Sequence, residues 1–267
     1  MTALPIHVNF WRKNFNMENI FVYRDRDILV DADGNFFKAC KVSDFEKGKD
    51  GVEEIFIEKA TGYIGVLVNS EWNIPQGAQF SPLRGYFFEH NADDTRLASR
   101  MRGLVQWRRS MQFCPACGSP LVPYDKETAL QCTGCGKVHY PRIEPCIITL
   151  VKKGDEILLL RTLREKEGIY SCLSGFVEIG ETIEQAVKRE VKEESNLEVE
   201  NVRYVGSQSW PFPDQLMLAF YCDYKSGELK IQESEIKDAQ WFRKDDLPKL
   251  YGKGSIAWRL INDDFSL

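Results

Sequence analysis

The sequence predicts a mixed α/β chain: a strand-rich first part, a linking helix, a cysteine-paired segment, and a closing domain of strands and two helices. Three observations predict it. Residues 1 to about 90 hold short strand-like runs broken by turns. Two C-x-x-C pairs follow, at Cys114/Cys117 and Cys132/Cys135. Beyond Tyr140, apolar strand-like runs flank a helix with a clear start signal, "TIEQAVKREVKEES". A length of 267 residues fits about two domains, or one long one.

Taken in order, "IFVYRDRDILVDADGNFFKACKV" carries a turn signal at Asp33-Gly34 between strand-like runs. A helix is expected from about Asp93 to Ser110, where Leu97, Met101, Leu104 and Val105 form one apolar stripe. "PCIITLVKKGDEILLLRT" reads as a hairpin of buried strands, followed by a glycine-rich turn and the capped helix. "MLAFYCDY" and "AQWFR" read as strands and "SIAWRLIND" as a last helix. No P-loop and no G-x-G-x-x-G after a strand is present.

A net charge of -5 and a pI near 5.5 argue against a protein that coats nucleic acid with a broad basic face. They leave room for a small anionic substrate, because a bound metal reverses the local field. No apolar run approaches the ~18 residues of a membrane helix. The start, "MTALPIHVNFWRKNF", lacks the order of a signal peptide, so the chain is read as cytosolic, with no membrane partner. Cys40, Cys146, Cys172 and Cys222 stand alone in apolar surroundings and are expected as small core residues.

The pairs Cys114/Cys117 and Cys132/Cys135 each sit on a tight turn, with Gly118 and Gly136 directly after. Four thiolates from two such turns suit one tetrahedral zinc ion in a closed, structural site. Lys126, Lys137 and Arg142 are offset by Asp125, Glu127 and Glu144, so a fold-stabilising brace is favoured over a nucleic-acid reader. His139 could replace a cysteine ligand, but its neighbours favour a core or loop histidine.

In the capped helix, Thr182 and Gln185 form a capping box, and Ile183, Ala186, Val187 and Val191 mark the apolar face. At 100° per residue Glu190 falls beside Ile183 and Glu194 beside Val187, and Glu193 borders the same face. Carboxylates on a packing face repel one another and oppose the helix dipole at this end. Two charges about 5 Å apart cost on the order of 3 kcal/mol at an effective dielectric of 20. Arg189 can orient Glu193 but cannot neutralise three carboxylates; a divalent magnesium or manganese ion can.

"GFVEIGETIEQAVKREVKEESNL" resembles the Nudix box, G-x5-E-x7-R-E-U-x-E-E-x-G-U, at Gly175, Glu181, Arg189, Glu190, Val191, Glu193, Glu194 and Leu197. Asn196 stands where the pattern has its last glycine, and asparagine tolerates the left-handed conformation. "SQSWPFPDQ" resembles the S-Q-P-W-P-F-P signature of the NADH pyrophosphatase branch, with Ser209 in place of the first proline. Two prolines around an aromatic make a stiff loop, suited to gripping a ring. The resemblance runs over nearly the whole chain, weakly before about residue 95.

It implies a Nudix α/β/α sandwich at 142–267, preceded by a zinc ribbon at 111–141 and a β-rich N-terminal domain with its linking helix at 1–110. It implies hydrolysis of the pyrophosphate of NAD(H) to nicotinamide mononucleotide and AMP, and by the same chemistry removal of NAD caps from RNA. Glu190, Glu194, Glu235 and the carbonyl of Ser174 would hold magnesium or manganese, with Glu193 and Arg189 completing the catalytic group. Substrate would be met by Tyr140, Phe176, Gln208, Ser209, Trp210, Pro211, Phe212, Pro213, Asp214, Gln215 and Ala257, and by Arg84 of the N-terminal domain. Members of this branch form homodimers. Two alternatives remain: a Nudix hydrolase of another dinucleotide or nucleoside diphosphate, and a non-catalytic zinc-ribbon nucleic-acid binder.

Overall fold

The chain divides into two compact units, 1–142 and 143–267. The computed structural model describes residues 20–265 except 39, 59–61, 91 and 166. The start of the expected N-terminal domain, including the stretch read for a signal peptide, lies outside the described residues.

In the first unit, β1 (Ile20–Arg24), β2 (Asp27–Asp31), β3 (Val52–Ile57), β4 (Ile64–Val68) and β5 (Ala78–Pro82) form a sheet in the order β3-β4-β1-β2-β5. The run "IFVYRDRDILV" is split by a turn at Asp25-Arg26, where Asp25 takes a positive φ of 50°. The expected turn at Asp33-Gly34 is present: the Asp31 carboxylate accepts from the N–H groups of Asp33 and Asn35. Beyond it, among the described residues, an isolated bridge, Val30 to Phe36, forms instead of a strand. The strands-only reading before residue 90 missed α1 (Leu83–Glu89), which begins directly after Pro82. The expected linking helix is α2 (Ala92–Ser110). Glu58, on the chain just past β3, is buried, is paired with Arg100 of α2, and accepts from Thr128 Oγ1. A small sheet of β6 (Leu121–Pro123), β7 (Leu130–Cys132) and β8 (Val138–His139) follows.

In the second unit the expected hairpin is β9 (Glu144–Lys153) and β10 (Glu156–Thr162). They pair only near the turn, because the first half of β9 pairs instead with β11 (Leu173–Phe176), which occupies part of the expected glycine-rich turn. Next come α3 (Ile183–Ser195), β12 (Glu198–Trp210), β13 (Gln215–Ser226), β14 (Ile236–Arg243) and α4 (Ile256–Ile261). The sheet runs β12-β13-β9-β10-β14. Alternation along β10 sends Leu158 and Leu160 to one face and Ile157 and Leu159 to the other. Ala186, Val187 and Val191 of α3 cover the first face, and Ile256, Ala257, Leu260 and Ile261 of α4 the second. The result is the expected α/β/α sandwich. Cys40, Cys146, Cys172 and Cys222 are all buried, as expected of core cysteines.

Candidate active site

The capping box forms as read. Thr182 Oγ1 accepts from Gln185 N at 3.2 Å, and Gln185 Oε1 accepts from Thr182 N at 2.7 Å. Asn196 ends α3 in the left-handed conformation, φ 60°. The last carbonyls of the helix are taken by the β13–β14 connection: Lys230 N donates to Ser195 O and Gln232 N to Glu194 O.

Of the three glutamates, Glu194 is 6% exposed and Glu190 lies partly buried beside it, on the packing face as predicted. Glu193 differs: its side chain is half exposed, because Arg189 draws it outward in an ion pair of 3.0 Å. Arg189 also binds Glu190 at 2.9 Å, Glu181 through two nitrogens at 2.6 and 3.1 Å, and the carbonyl of Phe176 at 2.8 Å. Glu181, which the sequence reading matched to the box without giving it a role, is thus the main anchor of Arg189. Its carboxylate also accepts from Glu178 N at 2.8 Å, and the arginine holds its pKa down.

Glu190 lies against the backbone of β11. A Cβ on Gly175 would come within 1.9 Å of its carboxylate carbon, so only glycine admits this approach. Burial, before any neighbour, raises the pKa of Glu190. Glu194 Oε2 is buried with no hydrogen-bond partner among the described residues. Burial, and then the charges of Glu190, Glu235 and Glu193, push Glu194 up to about 8. Glu235, just before β14, is exposed, and its charge acts on both Glu190 and Glu194. An unpartnered buried carboxylate oxygen within electrostatic reach of three further carboxylates is hard-oxygen chemistry of the magnesium or manganese kind, although among the described residues the four cysteines are the group whose ligand atoms already stand within 4.8 Å of one another. Cys146, in the α4-side core, is pushed up to about 12 by burial and then by the charges of Glu190 and Glu194.

Ser174 and Phe176 alternate with Leu173 and Gly175 along β11, so they lie on the face of Cys172, the α4 side. Phe176 is 47% exposed. Gln208, Ser209 and Trp210, expected in a stiff loop, instead end β12, because Trp210 pairs with Gln215 across a short turn of Pro211, Phe212, Pro213 and Asp214. Trp210 packs on the α4-side core, with its ring centroid 5.0 Å from that of Phe212. Gln208, expected to touch substrate, gives its side chain to the protein: Nε2 donates to Gly254 O at 2.8 Å and Oε1 accepts from Ile256 N at 2.9 Å. It thereby joins the end of β12 to the start of α4, where Ala257 is buried. Asp214 O accepts from Glu144 N, fixing the turn to β9. Tyr140 and Arg84 belong to the first unit. Tyr140 is exposed, with Glu127 at its hydroxyl raising its pKa; Arg84 is exposed on α1.

In the first unit the four cysteine Sγ atoms lie within 4.8 Å of one another, with Cys117 to Cys132 at 3.4 Å and Cys114 to Cys135 at 3.8 Å. A tetrahedron with zinc–sulfur bonds of about 2.3 Å has edges of about 3.8 Å, so the set fits zinc. Gly118 and Gly136, both at φ 73°, turn the chain after each pair and donate to the carbonyls of Cys114 and Cys132. The N–H groups of Gly134 and Cys135 point at Cys132 Sγ at 3.3 Å, and the Ser119 N–H holds Cys117 down to about 6; both favour thiolates. His139 Nε2 sits 3.5 Å from Cys114 Sγ, beside a complete set of four sulfurs.

Comparison with known proteins agrees with this geometry. Residues 141–262 match the NUDIX domain, and residues 109–140 match the NADH pyrophosphatase zinc ribbon domain. A relative from Salmonella heidelberg, named NAD-capped RNA hydrolase NudC, is 48% identical over 172 residues, 64% of this chain and 67% of the relative. A protein of the same name from Pseudomonas aeruginosa is 46% identical over 186 residues, 70% of this chain and 67% of its own. A solved Nudix hydrolase from Nitrosomonas europaea superposes with a TM-score of 0.50 at 21% identity, over 58% of this chain and 92% of that one, which shows the shared fold. With the box glutamates gathered at the end of α3 and four cysteines set for zinc, the chain belongs to the Nudix hydrolases, in the branch that carries the NADH pyrophosphatase zinc ribbon.

Proposed function

We propose that this chain hydrolyses the pyrophosphate of NAD(H) to nicotinamide mononucleotide and AMP, and makes the same cut in NAD-capped RNA. The observation that carries the reading is the buried carboxylate of Glu194, whose Oε2 has no protein partner among the described residues while the charges of Glu190, Glu235 and Glu193 all act on it. A protein that only used this helix for packing would not keep that group. The name shared by the relatives supports the choice of substrate.

Glu190, Glu194 and Glu235, with the carbonyl of Ser174, would hold magnesium or manganese. Such ions, when bound, supply neutralisation of the diphosphate and lower the pKa of a bound water. Water adds to one phosphorus in line and the bridging P–O bond breaks, which gives two monophosphates and releases a proton. Glu193, exposed and oriented by Arg189, is suited to align that water and take its proton. Arg189 fixes Glu190 and Glu193 together, so they present one preset geometry. Phe176 and Trp210 supply flat apolar surfaces for the nicotinamide or adenine ring, and Arg84 and Tyr140 are read as further substrate contacts. The ribbon zinc is a structural brace.

No helix among the described residues is long and apolar enough to cross a membrane. We read the protein as a cytoplasmic homodimer. The test of function is product analysis with NADH, NAD and NAD-capped RNA side by side, with magnesium or manganese. Nicotinamide mononucleotide and AMP, and RNA left with a 5′ monophosphate, are expected. Turnover of other dinucleotides with none of NAD(H) would overturn the substrate assignment.

A further inference from the structure

The pairing of β10 with β14 is regular from Glu156↔Arg243 to Arg161↔Asp238, then resumes at Thr162↔Ile236. Lys237 is the extra residue, a β-bulge one position from Ile236. The bulge has a visible effect on which face each residue serves. Phe242 packs against the α4-side core, while Ala239 and Trp241 pack against the α3-side core. Strict alternation would send Ile236, like Asp238, to the α4 side. Ile236 is instead 1% exposed in the α3-side core. The bulge has inverted the alternation, as a one-residue slip does. Glu235 is the next residue, and its carbonyl accepts from Leu163 N at 2.8 Å. The bulge therefore decides how the chain carrying Glu235 arrives at the carboxylates of α3.

A polar lock lies immediately beside it. The Asp238 carboxylate accepts from the hydroxyl of Tyr170, from Gln240 Nε2 at 3.0 Å, and pairs with Arg161 at 3.5 Å. Arg161 lies over the Tyr170 ring at 5.1 Å, and that ring packs on Phe242. Tyr170 is itself held by its N–H on Lys249 O. Two other segments, β10 and the chain at Tyr170, thus converge with Gln240 of β14 on one carboxylate at the last regular pair before the bulge. The arrangement is far more than β14 needs merely to pair, since the ladder from Glu156 to Arg161 already fixes that.

We infer that Asp238, with Tyr170 and Arg161, is a positioning group for Glu235: it pins the bulge at Lys237 and so sets the distance of the Glu235 carboxylate from Glu190 and Glu194. The inference rests on the reading of Glu235 as part of the metal site.

Three variants test it: Asp238→Asn, Tyr170→Phe and Glu235→Gln, with the Asp238→Asn/Glu235→Gln double variant. The first readout is Mn2+ affinity of the substrate-free full chain, taken from the electron paramagnetic resonance signal of free Mn2+. The second is hydrogen exchange of the Leu163 amide. Asp238→Asn is expected to weaken Mn2+ on the order of tenfold, as loss of a supporting partner does at metal sites. It should speed exchange at Leu163 and leave the KM for NADH at saturating Mn2+ within about twofold. The double variant should bind Mn2+ no more weakly than the worse single, since both act on one ligand. Tyr170→Phe removes one hydroxyl, keeps the fold, and should shift affinity in the same direction. If Glu235→Gln weakens Mn2+ while Asp238→Asn and Tyr170→Phe lower only the melting temperature, the lock is structural, and the inference fails while the metal site stands. If Glu235→Gln leaves Mn2+ affinity unchanged, Glu235 leaves the metal site and the inference falls with it.

Discussion

Glu194→Gln separates a metal site from a packing helix most sharply, because the two readings predict opposite signs. The change keeps volume and removes one charge. In the metal-free protein, burial pushes the Glu194 carboxyl from the ordinary 4.5 up to about 8, with Glu190, Glu235 and Glu193 adding repulsion. The folded value lies above the unfolded one, so the fold favours the protonated acid. That contribution is complete below about pH 4.5, erodes as pH rises, and is lost above about pH 8. At ~1.4 kcal/mol per tenfold in proton affinity, leaving the unfolded chain's ionised state costs roughly 3 kcal/mol at pH 7 and about 5 kcal/mol at pH 9. The amide also loses hydration at this site, so the measured gain falls below these figures.

Glutamine carries no such penalty. With chelator present, the 143–267 unit of the variant should melt several degrees above the parent at pH 8 and converge with it near pH 5, since a domain of this size shifts by a few °C per kcal/mol. Magnesium should raise the melting temperature of the parent more than that of the variant, because it binds the folded parent more tightly. NADH turnover by the variant should fall by orders of magnitude. Calorimetry from pH 5 to 9, with and without magnesium, and a turnover assay on both proteins decide the matter. A variant that melts lower than the parent in chelator and still hydrolyses NADH at the parental rate refutes the metal-site reading of this helix.

Cys117→Ser should leave the chain without its one zinc per molecule and insoluble or partly unfolded; elemental analysis and circular dichroism check this, and a soluble, zinc-free, active variant would contradict it. Phe176→Ala should raise the KM for NADH several-fold to about tenfold with kcat little changed, since stacking is worth ~0.5–1.5 kcal/mol beyond area; an unchanged KM places the ring outside the substrate site. Gly175→Ala should keep the fold but displace the Glu190 carboxylate, which a Cβ would meet at 1.9 Å, and so weaken Mn2+ binding in the substrate-free protein.

What was legible in the sequence is what is local. The capping box of α3, its apolar face, the left-handed Asn196 and the two cysteine turns each depend on residues within about one turn of one another. Periodicity and spacing report such features directly. The motif resemblance then supplied Glu235, which lies 41 residues beyond Glu194 and has no local signal of its own.

Features set by distant partners were not legible. Gln208 reads as part of a stiff substrate loop, yet its amide is satisfied by Gly254 and Ile256, 46 and 48 residues away. β12 extends to Trp210 because β13 pairs with it there, and no residue between 207 and 210 announces that register. Glu193 lies where helical geometry puts it, but the outward ion pair with Arg189 leaves it exposed, since Arg189 is anchored from Glu181 on the preceding loop. The shift matters chemically. Glu194, buried and unpartnered, suits a ligand whose charge a cation must offset, and Glu193, wet and aligned, suits a group that meets water. Neighbours in sequence thus stand in different surroundings, because one is turned towards the sheet and the other is held away from it by an arginine that the loop before the helix fixes.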